Sequence, residues 1–161
     1  MNQITEITSG SDSGQIKFPA LTFNQGWVGA IESIEDISRP SRLGVKRGFY
    51  RQLTLVDSNL GRFKVVAAKK VGTRFDANFR MFLRLLGGNP VWQMQLTLGV
   101  ASELSLNDVK DLILDCFKKQ EEYWEEMSDF EEFRDEIVAA MSMDQIFSAF
   151  REFNLMDSER R

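Results

Sequence analysis

The sequence predicts an α+β domain: an antiparallel sheet of about four to five strands, with helices packed on one face and an all-helical C-terminal part. Two stretches alternate apolar and polar residues with the period of two that is typical of strands. Four other stretches begin with a helix-capping pattern. Strands come first and helices after, with one helix between strands, and this order is typical of the α+β class.

The chain is predicted to be a single domain over residues 15–153, since 161 residues fall within the usual size of one domain. Residues 1–14 are expected to form a flexible arm, because they include an unbroken run of serine, glycine and aspartate with little apolar content. Residues 154–161 are expected to be a frayed, polar tail.

The first strand candidate is residues 15–23, where Pro19 is expected to confine the strand to an edge of the sheet. Residues 27–37 support two interpretations. Their first residues suit a strand, whereas isoleucine then recurs every three residues, as on a helical turn. The sequence leaves both interpretations open.

A β-hairpin is predicted next. Residues 49–55 alternate between apolar and polar side chains, residues 57–61 supply turn formers, and residues 63–67 form the return strand. Residues 91–100 predict a further strand with one apolar and one polar face. The apolar face consists of Trp92, Met94, Leu96, Leu98 and Val100.

Four helices are predicted from a hydroxyl residue followed three places later by an acid or a glutamine, which satisfies free amides of the first turn. The first carries a phenylalanine stripe and stops at Gly87, and the second is a long helix with an apolar side from Val109 to Met127. A break near residues 141–143 separates the last two. The capping pairs are Thr73/Asp76, Ser105/Asp108, Ser128/Glu131 and Ser142/Gln145.

Composition argues against most catalytic chemistry. The chain has no histidine, which removes the usual general base and the commonest zinc ligand. Its single cysteine, Cys116, lies within the apolar stripe of the long helix and is interpreted as a small buried hydrophobic residue. No catalytic residue, metal site or cofactor is predicted. The polar first residues and the lack of a long apolar stretch lead us to expect a cytoplasmic protein with no membrane partner.

Charge is divided along the chain. Residues 1–100 carry 13 basic and 7 acidic residues, whereas residues 101–161 carry 7 and 17. Most of the acids of the second part crowd one stretch and lie away from the apolar stripes of the predicted helices. The candidate partner-binding residues are Glu121, Glu122, Glu125, Glu126, Asp129, Glu131, Glu132 and Asp135.

Three interpretations compete for these acids: a solvated face that promotes solubility, a surface that complements the basic part of the same fold, and a docking surface for a basic partner. Acids placed in series on an outward helix face do not converge as catalytic carboxylates do. Tyr123 and Trp124 border the acids, and are either packed in the core or available as aromatic anchors.

The basic part gives an alternative surface. Its periodicity predicts Lys64 and Lys70 on one strand face and Arg80 and Arg84 one turn apart on a helix. Such a surface could follow nucleic-acid phosphates, but the pI near 5.0 and the lack of a stacking platform make nucleic acid the less favoured partner. The candidate residues are Arg62, Lys64, Lys69, Lys70, Arg74, Arg80 and Arg84.

The favoured functional hypothesis is a non-catalytic protein-binding domain, such as an inhibitor of the immunity-protein type, that docks a basic partner through its acidic helical face. The alternatives are a nucleic-acid-associated regulator that uses residues 62–84, and an escort protein resembling a secretion chaperone. A small-molecule binder with a pocket beside the Phe75 helix ranks third, and an enzyme fourth.

Overall fold

The alternating and helical patterns of the sequence produce a six-stranded sheet and five helices within the described residues. A computed structural model of the protein describes residues 4–8, 16–40, 45–74, 91–153 and 155. The elements are β1 (Ile4–Thr8), β2 (Ala20–Asn24), β3 (Trp27–Ile31), α1 (Ile34–Ser38), β4 (Thr54–Asp57), β5 (Gly61–Arg74), β6 (Val91–Glu103), α2 (Leu106–Lys119), α3 (Glu121–Glu125), α4 (Phe130–Ala139) and α5 (Met143–Glu152).

All strand pairs are antiparallel, in the order β1-β6-β5-β4-β2-β3. The predicted α+β class and the helical C-terminal part are confirmed. The predicted hairpin is β4 and β5, and its turn is held by Asp57, whose Oδ1 accepts hydrogen bonds from the amides of Asn59 (2.9 Å) and Gly61 (2.8 Å). The first strand of the hairpin begins at Thr54 rather than at Phe49, because residues 47–52 form turns.

Strand β2 differs from its predicted place. It lies between β3 and β4, so the expectation of an edge strand is wrong. Pro19 precedes the first paired residue, Ala20, and therefore does not interrupt the ladder of hydrogen bonds.

Both interpretations of residues 27–37 hold in succession. The strand-like start is β3, and the isoleucine repeat continues into α1. Asp36 marks the transition, because its carboxylate accepts a hydrogen bond from the backbone amide of Ser33 (2.9 Å) at the start of the helix.

The N-terminal segment also differs from expectation. Ile4–Thr8 pair with β6 as β1, although a flexible arm is expected over residues 1–14. The β-branched residues of ITEIT have high strand propensity, and the Ser/Gly-rich run that suggests an arm begins only at residue 9.

The two faces of the sheet carry separate hydrophobic clusters. On one face, α2 to α5 pack against Leu21, Phe23, Val28, Ala30 and Val56 of β2, β3 and β4. On the other face, α1 and the segment before β4 cover the buried residues of β4, β5 and β6. The alternation predicted for β6 is confirmed there, since Met94, Leu96 and Leu98 are buried.

Two of the four predicted helix starts are confirmed. Ser105 Oγ accepts a hydrogen bond from the amide of Asp108 (3.2 Å), and Ser142 Oγ accepts one from the amide of Gln145 (3.3 Å). The Ser128/Glu131 start is wrong by one residue, because Asp129 is the N-cap of α4. The predicted long helix is divided at Gln120 into α2 and α3.

The remaining predicted helix start, Thr73/Asp76, is wrong, because Thr73 belongs to strand β5 and does not cap a helix. The rest of that predicted helix lies outside the described residues, and so does the expected tail apart from Leu155. The Leu155 amide donates a hydrogen bond to the carbonyl of Phe150 (2.8 Å).

The turn between β2 and β3 leads to the first testable prediction. Gly26 has a φ of +88°, and a Cβ added there would lie 3.1 Å from Lys119 Cβ at the end of α2. We expect Gly26→Ala to lower the free energy of unfolding by about 1–2 kcal/mol, because alanine is strained at positive φ and the added carbon presses on α2. Urea denaturation measures this loss.

Gly72→Ala is the matched control. Gly72 does not have a positive φ, and its added Cβ would meet only the flexible side chain of Gln93, 3.2 Å from Oε1. We expect a change of less than about 1 kcal/mol. Equal losses in the two variants would contradict the role assigned to the turn.

Candidate functional site

Four aromatic side chains hold the C-terminal helices together. Phe117 of α2 lies 4.9 Å from Trp124 of α3 and 5.2 Å from Phe130 of α4, between ring centroids, in edge-to-face geometry. Phe133 of α4 lies 6.3 Å from Trp124, and these two side chains are 0% and 2% exposed, respectively. Because these rings face inward, the opposite sides of α3 and α4 face solvent.

The candidate acids lie on those outward sides. All eight are exposed, and they belong to α3, to α4 and to the short connection between them. We call them the acidic surface: Glu121, Glu122, Glu125, Glu126, Asp129, Glu131, Glu132 and Asp135. Trp124, which the sequence left between core and surface, is in the core.

Few cations neutralise the acidic surface. Arg134 Nη2 lies 2.5 Å from Glu131 Oε2 and 3.6 Å from Asp135 Oδ1. In the described part of the chain, the other six carboxylates form no ion pair. The acidic surface therefore keeps most of its negative charge.

The surroundings of Glu136, which follows Asp135 at the edge of the acidic surface, disfavour a negative charge. Partial burial raises the pKa of the Glu136 carboxyl, and the nearby charges of Glu152 and Glu132 raise it further. The folded protein therefore disfavours the charged form of Glu136.

Within the described part of the chain, the basic and acidic surfaces do not contact each other through ion pairs. Helices α2 and α5 contact β3, which is separated from the basic strand β5 by β2 and β4. Among the residues that the structure describes, no ion pair joins Arg62, Lys64, Lys69 or Lys70 to an acid. The interpretation in which the two charged parts complement each other within the fold therefore finds no supporting ion pair among the described residues.

The basic residues are themselves divided between the faces of β5. A bulge between Val65 and Ala67 shifts the register, so Lys64 and Lys69 pair with Gly99 and Gln95 on one face. Lys70 pairs with Met94 on the opposite face, where its Nζ lies 4.3 Å from the centroid of the Trp92 ring. The prediction that Lys64 and Lys70 share a face is therefore wrong, because an unrecognised bulge intervenes.

Of the remaining candidate basic residues, Arg62 is described and half-buried. Arg62 precedes Lys64 by two residues on β5. Arg74 ends β5, and Arg80 and Arg84 lie outside the described residues.

An exposed aromatic pair adjoins the acidic surface. Trp27, at the start of β3, and Tyr123, on α3, have ring centroids 4.6 Å apart at an interplanar angle of 75°, and each is 42% exposed. Positive φ values at Gln25 (50°) and Gly26 (88°) form the tight hairpin turn that presents Trp27. The sequence singled out Tyr123 but not Trp27, because only the tertiary contact between the turn and α3 makes them a pair.

Cys116 is buried in the helical core. Burial raises the pKa of its thiol to about 11, the Asp115 charge adds to this effect, and Lys119 opposes it. A thiol with so high a pKa is almost entirely protonated at neutral pH, so the residue is a packing group.

The described residues contain no group of three or more histidine, cysteine, aspartate or glutamate side chains that could hold a metal ion. None of the described helices is long and apolar enough to cross a membrane. Comparison with protein-family models, curated proteins and solved structures gives no match for this chain.

Glu136 provides a pH-dependent prediction. An acid whose pKa is raised by folding lowers stability above its folded-state pKa, and this penalty disappears as the pH falls below the ordinary value of 4.5. We expect Glu136→Gln to raise the melting temperature by about 1–2 °C at pH 7, which is the shift expected when one repulsive pair of like charges is removed. Near pH 4 we expect no effect, because the carboxyl of the wild type is then uncharged. Thermal unfolding followed by circular dichroism at both values measures this difference.

The control for this prediction is Glu103→Gln, at an exposed position that ends β6. We expect it to leave the melting temperature nearly unchanged at both pH values. A Glu136→Gln variant that is less stable than the wild type at pH 7 would refute the repulsion.

Cys116 provides a reactivity prediction. At pH 8, a pKa of about 11 in place of the ordinary 9.0 leaves roughly a hundredfold less thiolate than in an unfolded chain. We therefore expect the native thiol to react with a chromogenic disulfide reagent at least about a hundredfold more slowly than the same protein in urea. Labelling of the native protein at the denatured rate would show that the helical core is open.

Proposed function

We propose that this protein is a non-catalytic protein-binding domain that docks a basic partner through its acidic surface. The observation that carries the proposal is the set of six exposed carboxylates, on α3, α4 and their connection, that form no ion pair within the described residues. A basic partner would supply the missing cations.

The energetics of the helices support the proposal. Like charges four residues apart, such as Glu121/Glu125 and Glu122/Glu126, destabilise a helix by about 0.2–0.5 kcal/mol per pair. This repulsion is relieved when cations of a partner lie against the same side chains. The negative field also speeds the diffusional encounter with a basic protein and disfavours acidic ones.

Within this class we propose an inhibitor of the immunity-protein type, which covers the cationic site of a nuclease or of another nucleic-acid-binding protein. The excess of 17 acidic over 7 basic residues in positions 101–161 supports this role, because it imitates the charge of a nucleic acid. The lack of histidine in the chain supports a binding role over a catalytic one.

The nucleic-acid alternative has less support from the geometry. Phosphate tracking needs cations aligned along one surface, whereas β5 presents Lys64 and Lys69 on one face and Lys70 on the other. We therefore prefer the acidic surface as the functional one.

Affinity capture from the native host tests the proposal by comparing the wild type with a four-glutamine variant. The variant carries Glu122→Gln, Glu125→Gln, Glu126→Gln and Glu132→Gln, which keep the size of the side chains and remove four charges. We expect the wild type to retain a partner of high pI, and the variant to bind that partner at least about tenfold more weakly, because each interfacial charge pair contributes on the order of 1 kcal/mol. Titration by calorimetry with the purified partner gives the ratio.

Lys64→Gln with Lys69→Gln is the matched control, since it removes charges of the other sign from another part of the surface. We expect this control to retain the partner with wild-type affinity. A partner bound equally by the wild type and by the four-glutamine variant would refute docking through the acidic surface.

A further inference from the structure

The exposed aromatic pair of Trp27 and Tyr123 is an unusual feature at the edge of a highly charged surface. Both side chains leave 42% of their area open although their rings are in contact. Tryptophan and tyrosine are the residues most enriched at the energetic centres of protein interfaces. The pair thus presents aromatic surface next to acids of the acidic surface, since Tyr123 lies between Glu122 and Glu125 on α3.

The charge around the pair favours a cation. Glu126 lies three residues after Tyr123, and therefore close to it on the helical surface, and Glu122 precedes Tyr123 directly. Lys119 is the nearest cation along the chain, one turn before Tyr123, and its Nζ lies 2.6 Å from Asp115 Oδ2. Acids outnumber bases five to two in residues 115–126, so the charge along this part of the chain is negative.

The pair is held in place before any partner arrives. The Gln25–Gly26 turn fixes Trp27 from the sheet side, and the absence of a side chain at Gly26 lets the turn approach Lys119 and Gln120 closely. Tyr123 is fixed from the helix side by Trp124, 5.4 Å away between ring centroids, which is itself buried. A rigid pair loses little conformational entropy on binding.

We propose that the aromatic pair binds an arginine side chain of the basic partner, an inference that rests on the proposed docking through the acidic surface. The guanidinium group is planar, so it stacks on an aromatic ring while its N–H groups donate to neighbouring carboxylates such as Glu126. An ammonium group is compact and strongly hydrated, and it gains less from the same surface. The pair therefore selects arginine over lysine.

Binding of two short synthetic peptides to the full-length protein tests the inference. One peptide carries several arginines spaced by glycine and serine, and the other carries lysine at the same positions. We expect the arginine peptide to bind about fivefold more tightly, the equivalent of one cation–π contact of about 1 kcal/mol, and to shift the indole N–H resonance of Trp27. The chain has three tryptophans, and the Trp27→Phe spectrum identifies this resonance.

Substitution of the pair gives the second arm of the test. Trp27→Ala and Tyr123→Ala should each weaken the arginine peptide about fivefold and abolish the preference over lysine, whereas Tyr123→Phe, which keeps the ring, should retain both. Val66→Ala is the matched control, because Val66 is an exposed apolar side chain (56%) on the distant strand β5. Thermal unfolding of every variant confirms that it is folded.

The outcomes separate this inference from the proposed function. If both peptides bind equally and the aromatic variants bind as the wild type does, while the four-glutamine variant weakens both peptides, the arginine site is wrong and the acidic docking surface stands. If the four-glutamine variant binds both peptides as the wild type does, the acidic docking surface is wrong. If neither peptide binds at concentrations up to about 1 mM, the arginine site is refuted as well, because even a weak cation–π site in such a field would be detected.

Discussion

The packing of Trp124 against Phe117, Phe130 and Phe133 is the interaction on which the C-terminal helices depend. Truncation of a buried tryptophan or phenylalanine typically costs 3–5 kcal/mol, which is a large part of the stability of a small domain. Within the described residues, the buried Trp124 Nε1 finds no hydrogen-bond partner, so the contacts between the rings are what hold this side chain in place.

The position of Trp124 determines what the surface presents. The helix ends at Lys119 and restarts at Glu121, and the break at Gln120 turns Trp124 inward beneath the acids. The preceding residue, Tyr123, then emerges beside Trp27 of the sheet. Trp124 in the core, Tyr123 beside Trp27 and the outward acids of α3 are thus all placed by one short helix.

Much of the fold could be predicted from the sequence, and the errors have identifiable causes. Period-two alternation identified β6 and the hairpin, and hydroxyl caps located the starts of α2 and α5, because these signals are local. The break at Gln120 escaped prediction because the apolar stripe continues across it. The interior place of β2 and the bulge at Val66 escaped because strand order and register depend on contacts distant in sequence.

In the candidate site, too, local features could be predicted from the sequence, whereas features set by contacts distant in sequence could not. The acids of the surface could be predicted, since charged residues opposite an apolar stripe face solvent on any packed helix. Whether they meet the basic residues depends on which strands the helices cover, and helical periodicity does not specify this. The partner of Tyr123 was missed for the same reason, because Trp27 is 96 positions away along the chain.

Charge and aromatic surface contribute differently to binding. Exposed carboxylates in water contribute little affinity each, and at physiological salt their field falls off within about 8 Å, so the acidic surface mainly sets the sign of the partner and the rate of encounter. Affinity requires groups that lose water on contact, and large, rigid aromatic side chains provide most of it at protein interfaces. Among the described residues, Trp27 and Tyr123 are the exposed aromatic side chains beside the acids, in a contact that the Gly26 turn and the Trp124 core already hold. A partner drawn in by charge alone would dissociate quickly, whereas one that also covers this pair would be retained, and this difference lets a highly charged surface be selective.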